Sequence, residues 1–194
     1  MSYARLTELK NDLGIDTDTT DDDVLLQAYL DEATAAIDTY TNRNFEPQTQ
    51  TRYYERDALD DDRFTLIVDR DLLDVTTLTN GDSGATPIPN TEYWLVPRNL
   101  TPKFGIRLKV DSTHSWEFDT DYWVSVAGTW GYSLTPPRDV VRACKRLAMY
   151  YYAQKDAQVF DVTAVPEAGV ITVPQGIPRD VQVLLDPYRR QGIA

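Results

Sequence analysis

The spacing of apolar and polar positions changes period twice along the chain, and those two changes set its organisation. Up to residue 44, apolar residues recur every three or four positions, the spacing of one helix face. Leu6, Leu9 and Leu13 predict a short helix over residues 4–13, stopped by Gly14, with Ile15 turned inward. Asp16 to Thr20 reads as a polar turn. A second helix follows, with Thr20 as its capping hydroxyl and Asp21, Asp22 and Asp23 near the positive end of its dipole. Leu26, Leu30, Ala33, Ile37 and Tyr40 form its core stripe, broadened by Leu25, Tyr29 and Ala36. Gln27, Asp31, Thr34, Asp38 and Thr41 form a polar, acidic face. Asn42-Arg43-Asn44 ends this helix and Pro47 confirms the break.

From residue 51 the period falls to two, with β-branched and aromatic residues between polar breaks. Residues 51–56, 64–68, 75–79, 93–96, 106–110 and 122–126 predict about six short strands in a meander or small barrel-like sheet. Asn80-Gly81 and Ser83-Gly84 are turn signals, and Asp60-Asp61-Asp62 reads as a solvated loop. The helical period then returns. Thr135 to Asp156 predicts a long central helix, capped by Thr135, with Pro136 tolerated in its first turn. Val140, Cys144, Leu147, Ala148 and Tyr151 share its apolar face, and Arg138, Arg142, Lys145 and Arg146 lie on another. Ala164 to Gly176 reads as an extra strand or extended arm, and Pro178 starts a last short helix with Val181, Leu184 and Leu185 inward.

The expected fold class is α+β: a small bundle of about four helices with an antiparallel β-rich subdomain inserted between helix two and the central helix. The expected divisions are 1–48 for the N-terminal helices, 49–134 for the β-rich insertion, and 135–194 for the central helix, arm and C-terminal helix. Charge adds an asymmetry. Net charge is −12, and residues 1–62 hold 16 acids against 5 bases, a balance of −11. Residues 138–194 carry +2. Nucleic-acid binding normally shows a concentrated basic stripe, and this chain should repel DNA over most of its surface. The asymmetry serves solubility, or it lets the acidic front of one copy meet the basic back of another. No apolar stretch approaches the roughly 20 residues that span a bilayer, and no membrane partner is expected.

Candidate chemistry is sparse. His114 is the single histidine and Cys144 the single cysteine, which excludes a two-histidine metal site and a disulfide framework. The Asp16/Asp18 alternation fails as a calcium loop, because Asp21 and Gln27 stand where glycine and glutamate are needed. Phosphate-binding glycine motifs and a nucleophile elbow are absent, so no catalytic residue, metal or cofactor is expected. Trp94, Trp116, Trp123 and Trp130 could form a sugar-binding platform, though tryptophans at strand positions are more often core.

Two stretches carry a resemblance. The run Leu6-Thr7-Glu8-Leu9-Lys10-Asn11-Asp12-Leu13-Gly14-Ile15, the acidic turn, and a long helix ending Tyr40-Thr41-Asn42-Arg43-Asn44-Phe45 resemble the N-terminal signature of tailed-phage head–tail connector proteins. Gly128-Thr129-Trp130-Gly131-Tyr132 before the proline-started helix matches the same family's plan. The resemblance implies a non-enzymatic virion protein at the head–tail interface, assembled in the host cytoplasm. Such proteins form a ring, usually of 12 copies, that binds the portal on one side and a stopper or tail-completion protein on the other. DNA passes through the lumen.

On that footing Arg138, Arg142, Lys145 and Arg146 are candidates to face Asp31 and Asp38 of a neighbouring copy, or the same charges pair within one subunit. Tyr188, Arg189, Arg190 and Ile193 are candidate portal contacts, or a frayed terminus. The alternative from another class is a monomeric β-rich module of a virion or cell surface that binds glycan or protein.

Overall fold

The computed structural model describes residues 2–155, 163–165, 169–171 and 176–190. The chain divides into two compact units, residues 1–42 with 136–194, and residues 43–135.

The first unit is helical. Among the described residues it holds α1 (Leu6–Leu13), α2 (Asp23–Thr41), α3 (Arg138–Gln154) and α4 (Arg179–Leu185), then a 3-10 turn, Asp186–Tyr188. A separate two-stranded antiparallel hairpin, β6 (Thr163–Val165) with β7 (Gly169–Ile171), falls within the same stretch of chain. The predicted stripes are the buried ones: Leu26, Leu30, Ala33 and Ile37 on α2, and Val140, Cys144, Leu147 and Ala148 on α3. These two helices pack together, and the Cys144 Sγ lies 3.6 Å from Thr34 Oγ1. Leu9 of α1 and Val181 and Leu185 of α4 are buried as well. Each buried Leu, Ile or Val among them contributes roughly 1.5–3 kcal/mol.

Gly14 ends α1 in the left-handed conformation (φ 71°), and Asn42 ends α2 the same way (φ 52°). Both expected threonine caps are corrected. Helix α2 starts at Asp23 with Asp22 before it, and α3 starts at Arg138 after Pro137. Neither has a side-chain cap hydrogen bond. The Asp22 carboxylate is drawn instead to the far end of α3, accepting from the Tyr152 hydroxyl (2.6 Å) and Lys155 Nζ (3.1 Å). The ring of Pro137 keeps the preceding Pro136 out of the α region, and Pro137 itself is extended (ψ 150°), so α3 begins only at Arg138.

Lys10 lies on α1 and is only 2% exposed. Its ammonium donates to the carbonyls of Thr17 (2.8 Å) and Thr19 and to Asp23 Oδ1 (2.8 Å), using all three of its donors. One buried cation thus closes the turn between α1 and α2.

The second unit is a five-stranded antiparallel sheet: β1 (Gln48–Tyr54), β2 (Thr65–Thr79), β3 (Tyr93–Val96), β4 (Lys103–Leu108) and β5 (Val124–Trp130), in the order β1-β5-β2-β4-β3. The expected strands 64–68 and 75–79 are one long strand. Its first half pairs with β4 and its second with β5, and the register shifts between Ile67 and Leu72. The polar Asp69-Arg70-Asp71 reads as a break in sequence but stays in the strand because it is partnered. Asp69 accepts from Arg52 and Tyr54, and Asp71 accepts from Arg43. Three further strands shift: 51–56 runs 48–54, 106–110 runs 103–108, and 122–126 runs 124–130. Leu66, Val68, Leu72, Leu78, Ile106, Leu108, Val124, Val126 and Trp130 belong to the core of this unit. Asp62, in the expected solvated loop, accepts the Phe64 and Thr65 N–H groups and pairs with Arg107 at 2.8 Å.

Lys10→Met keeps the stem of the side chain but leaves Asp23 and two carbonyls without their cation. It should cost about 3 kcal/mol, read as a lower urea midpoint. Asp22 gives a pH signature. Its carboxyl is held below the ordinary value of 3.8, first by the Tyr152 hydroxyl and then by Lys155. Stability from a depressed carboxyl is complete above the unfolded value and is lost as pH falls through the folded one. Stability of D22N should therefore fall less steeply below about pH 4 than wild type. Superimposable acid limbs would refute the role of this contact.

Candidate functional site

Three groups of residues carry the chemistry that is not simple core: a junction inside the β-rich unit, a basic ridge on α3, and the segment after α4.

The junction unites the two stretches singled out in sequence. Gly131 adopts φ +144°, and a Cβ there would lie 2.6 Å from the Glu46 carbonyl oxygen. That close approach lets the Tyr132 N–H donate to Asn44 O (2.8 Å) and the Gly131 N–H donate to Asp71 O (2.8 Å). The Tyr132 ring stands 5.3 Å from the Phe45 ring and carries the Arg43 guanidinium 5.1 Å from its centroid. Arg43 also pairs with Asp71 at 2.7 Å. One residue earlier, buried Trp130 donates its indole N–H to Gln50 O (3.1 Å). Gly128 answers a second close approach, since a Cβ would fall 2.2 Å from Asp74 O. The Arg43-Asn44-Phe45 and Gly128-to-Tyr132 motifs are therefore two sides of one contact.

On α3, Arg138, Val141, Arg142, Lys145, Arg146 and Met149 line a hollow of about 400 Å³ with Asp12 of α1. Lys145 pairs with Asp12 (2.7 Å), and Arg146 pairs with Asp180 of α4. Arg138 and Arg142 are exposed. On α2, Asp31 is exposed and accepts from Gln27 (3.0 Å), while Asp38 accepts from the Tyr3 hydroxyl. The structure thus gathers the four basic residues on one surface. Within the chain it directs Lys145 and Arg146 to α1 and α4.

The segment after α4 folds back on its own unit. The Arg190 N–H donates to Thr41 O (2.8 Å), and the Arg189 guanidinium lies 5.0 Å from the Tyr40 ring centroid. The Tyr40 hydroxyl donates to Asp186 (2.6 Å), which raises its pKa. Tyr188 Oη lies 3.5 Å from Asp139. Ile193 lies outside the described residues.

The remaining candidates occupy structural places. His114 Nδ1 lies 3.9 Å from Glu92 and 3.2 Å from Thr113 Oγ1. Burial pushes the Cys144 thiol up, as befits a small apolar residue in the core. Among the described residues, no three or more His, Cys, Asp or Glu side chains are grouped to hold a metal ion. No helix among them is long and apolar enough to cross a membrane. Three of the four tryptophans are separately engaged: Trp130 is core, Trp116 donates to Phe64 O (3.0 Å), and Trp94 carries two cations, while Trp123 is exposed.

Residues 3–68 match the family of phage gp6-like head-tail connector proteins. No curated protein matches the chain in sequence. Among solved structures, the chain is similar to one in the neck of an empty gene transfer agent (GTA) particle computed with C6 symmetry. Identity is 21% and the TM-score 0.63, over 99% of this chain and 92% of that one. A chain in the virion of the native gene transfer agent particle matches at 20% identity and TM-score 0.63, over 99% and 92%. One in the neck of the native particle computed with C12 symmetry matches at 19% identity and TM-score 0.62, over 99% and 91%. At these identities the likeness establishes the fold. The connector resemblance read from the N-terminal motif is met by the family match over the same residues. That match supports a structural role in a virion head–tail connector.

Gly131→Ala tests the junction directly. It must either leave φ +144° or displace the Glu46 carbonyl, so it should destabilise the protein by about 2 kcal/mol. Denaturant unfolding measures it, and an unchanged midpoint would show that the junction has slack.

Proposed function

We propose that the chain is a non-enzymatic structural protein of a phage-type virion, a ring adaptor between the portal and a stopper or tail-completion protein, with DNA passing through its lumen. The observation that carries this reading is the match of residues 3–68 to the head-tail connector family. The symmetry of the similar structures supports the ring: two lie in necks computed with C6 and C12 symmetry, and copies of one chain about such an axis would close into a ring. Twelve is the copy number proposed, in line with the C12 symmetry of one of these necks. The site is the head–tail interface, reached after assembly in the host cytoplasm.

A closed ring needs two different surfaces on each copy. The proposed pair is the basic ridge of α3 and the acidic face of α2 in the neighbouring copy. Lys145 and Arg146 already have partners in their own chain, which makes Arg138 and Arg142 the outward charges. Asp31 is their exposed counterpart. Opposed charges of this kind fix register and orientation more than raw affinity. The portal contact is assigned to the C-terminal segment, Tyr188, Arg189, Arg190 and Ile193. The backbone of Arg190 is tied to α2, so truncation after Arg190 removes Ile193 alone of these four without disturbing that docking, and truncation after Asp186 removes all four and should abolish portal binding.

Negative-stain microscopy of the protein mixed with the portal of its own genome tests the reading. A ring stacked on the portal is the expected result, and a chain that ignores the portal would overturn it. R138E/R142E should abolish rings at concentrations where wild type forms them and leave the unfolding midpoint unchanged. Normal rings from that variant would remove the α3 ridge from the interface.

A further inference from the structure

The β3–β4 hairpin is an island of opposite charge. Residues 94–110 contain Arg98, Lys103, Arg107 and Lys109 and no Asp or Glu, in a chain of net charge −12. Side chains alternate across a strand. Lys103 and Arg107 of β4, and Lys109 just beyond it, therefore share the face opposite buried Ile106 and Leu108. Gly105 sits between them and adds no side chain to the stripe. Trp94 of β3 stands directly opposite Arg107 in the register and is 41% exposed. It holds two of the cations in place: the Arg98 guanidinium carbon lies 3.9 Å and the Lys109 ammonium 4.0 Å from its ring centroid. Lys103 is braced on the carbonyls of Pro97 (2.8 Å) and Arg98 (3.1 Å).

Two acids border the stripe, and both are engaged. Asp62 is matched to Arg107 at 2.8 Å. Glu92 accepts the Thr113 N–H (2.9 Å) and faces His114 at 3.9 Å. Four cations against these two carboxylates leave an excess of two positive charges along the ribbon; Glu92 lies near enough to act on Lys109, which also donates to the Thr91 carbonyl. A line of separated cations suits a linear polyanion better than a single carboxylate. With two cations over it, the Trp94 ring is not a stacking platform for a base, so recognition runs through charge and is blind to sequence.

We infer that this face contacts the phosphate backbone of duplex DNA, weakly and without sequence preference. The inference deepens the connector reading and rests on it for the source of the duplex. The acidity of the rest of the chain limits the contact to this hairpin.

The test is fluorescence anisotropy of the full chain with a random-sequence duplex of about 30 base pairs, between about 20 and 150 mM salt. Three phosphate contacts predict a slope of log K against log salt of about −2 to −3. R98A/K109A should weaken binding at the lowest salt at least about tenfold and bring the slope near −1. R179A, at an exposed basic residue outside the hairpin, should leave binding within about twofold. Wild-type protein that does not bind at the lowest salt would overturn the inference, as would R98A/K109A binding like wild type. Microscopy of R98A/K109A with the portal separates the two readings. Rings without DNA binding by wild type would sink this inference and leave the connector reading standing. DNA binding without rings would do the reverse. A variant that loses its place on the portal yet binds DNA normally would make the hairpin a protein-docking surface, contrary to the proposal.

Discussion

Everything in the β-rich unit depends on its two ends being held together. The unit begins at Arg43 and ends at Thr135, so a long segment must be folded with its first and last residues side by side. Loop-closure entropy grows only slowly with length, but the closing contact must still be specific. It is built from a backbone bond, Tyr132 N–H to Asn44 O, and an aromatic pair, Phe45 with Tyr132. The Arg43 guanidinium serves both the Tyr132 ring and the Asp71 carboxylate. Glycine at 131 is the condition for all of it, since a side chain there would collide with the Glu46 carbonyl. Asp71 belongs to β2, so the clasp also fixes the strand that links both halves of the sheet.

That dependence explains what could be read from sequence and what could not. The helical unit was legible because its signals are local: a stripe at helical spacing, Gly14 as a left-handed stop, Asn42 ending α2. The two resembling motifs were legible as motifs, but nothing in their spacing showed that they touch. The continuity of β2 was hidden because Asp69-Arg70-Asp71 violates alternation, and the partners that excuse it, Arg43, Arg52 and Tyr54, are remote in sequence. The α2 cap failed for a similar reason, whereas the α3 cap failed locally, at Pro137. Tyr152 and Lys155 reach Asp22 across the bundle, a competition that no window of adjacent residues contains.

Charge shows the same division between local and long-range information. The acidic front was visible as a count, but its uses were not. Lys10 consumes Asp23, Lys145 consumes Asp12, and Lys155 consumes Asp22. Of the α3 cations, two are spent inside the chain. What a neighbour could meet is the remainder, so an interface cannot be inferred from a charge total. The basic hairpin was missed for the opposite reason: a net charge of −12 averages it away, and it emerges only when alternation along β4 sorts its cations onto one face.

The two proposed surfaces make different physical demands, and the structure supplies different means. A ring interface must be specific and lasting. The α3 ridge sits on a bundle whose helices are packed through fully buried side chains, so its outward arginines have a rigid base. Contact with passing DNA must be weak and sequence-blind, because a tight grip would arrest movement. On the hairpin, four cations face two carboxylates in an otherwise acidic chain, and two of the cations are positioned by an aromatic ring. Carboxylate partners would have cancelled the charge; a tryptophan positions it and leaves it available. Trp94, an exposed aromatic on a strand, therefore has a use that neither core packing nor a sugar platform explains.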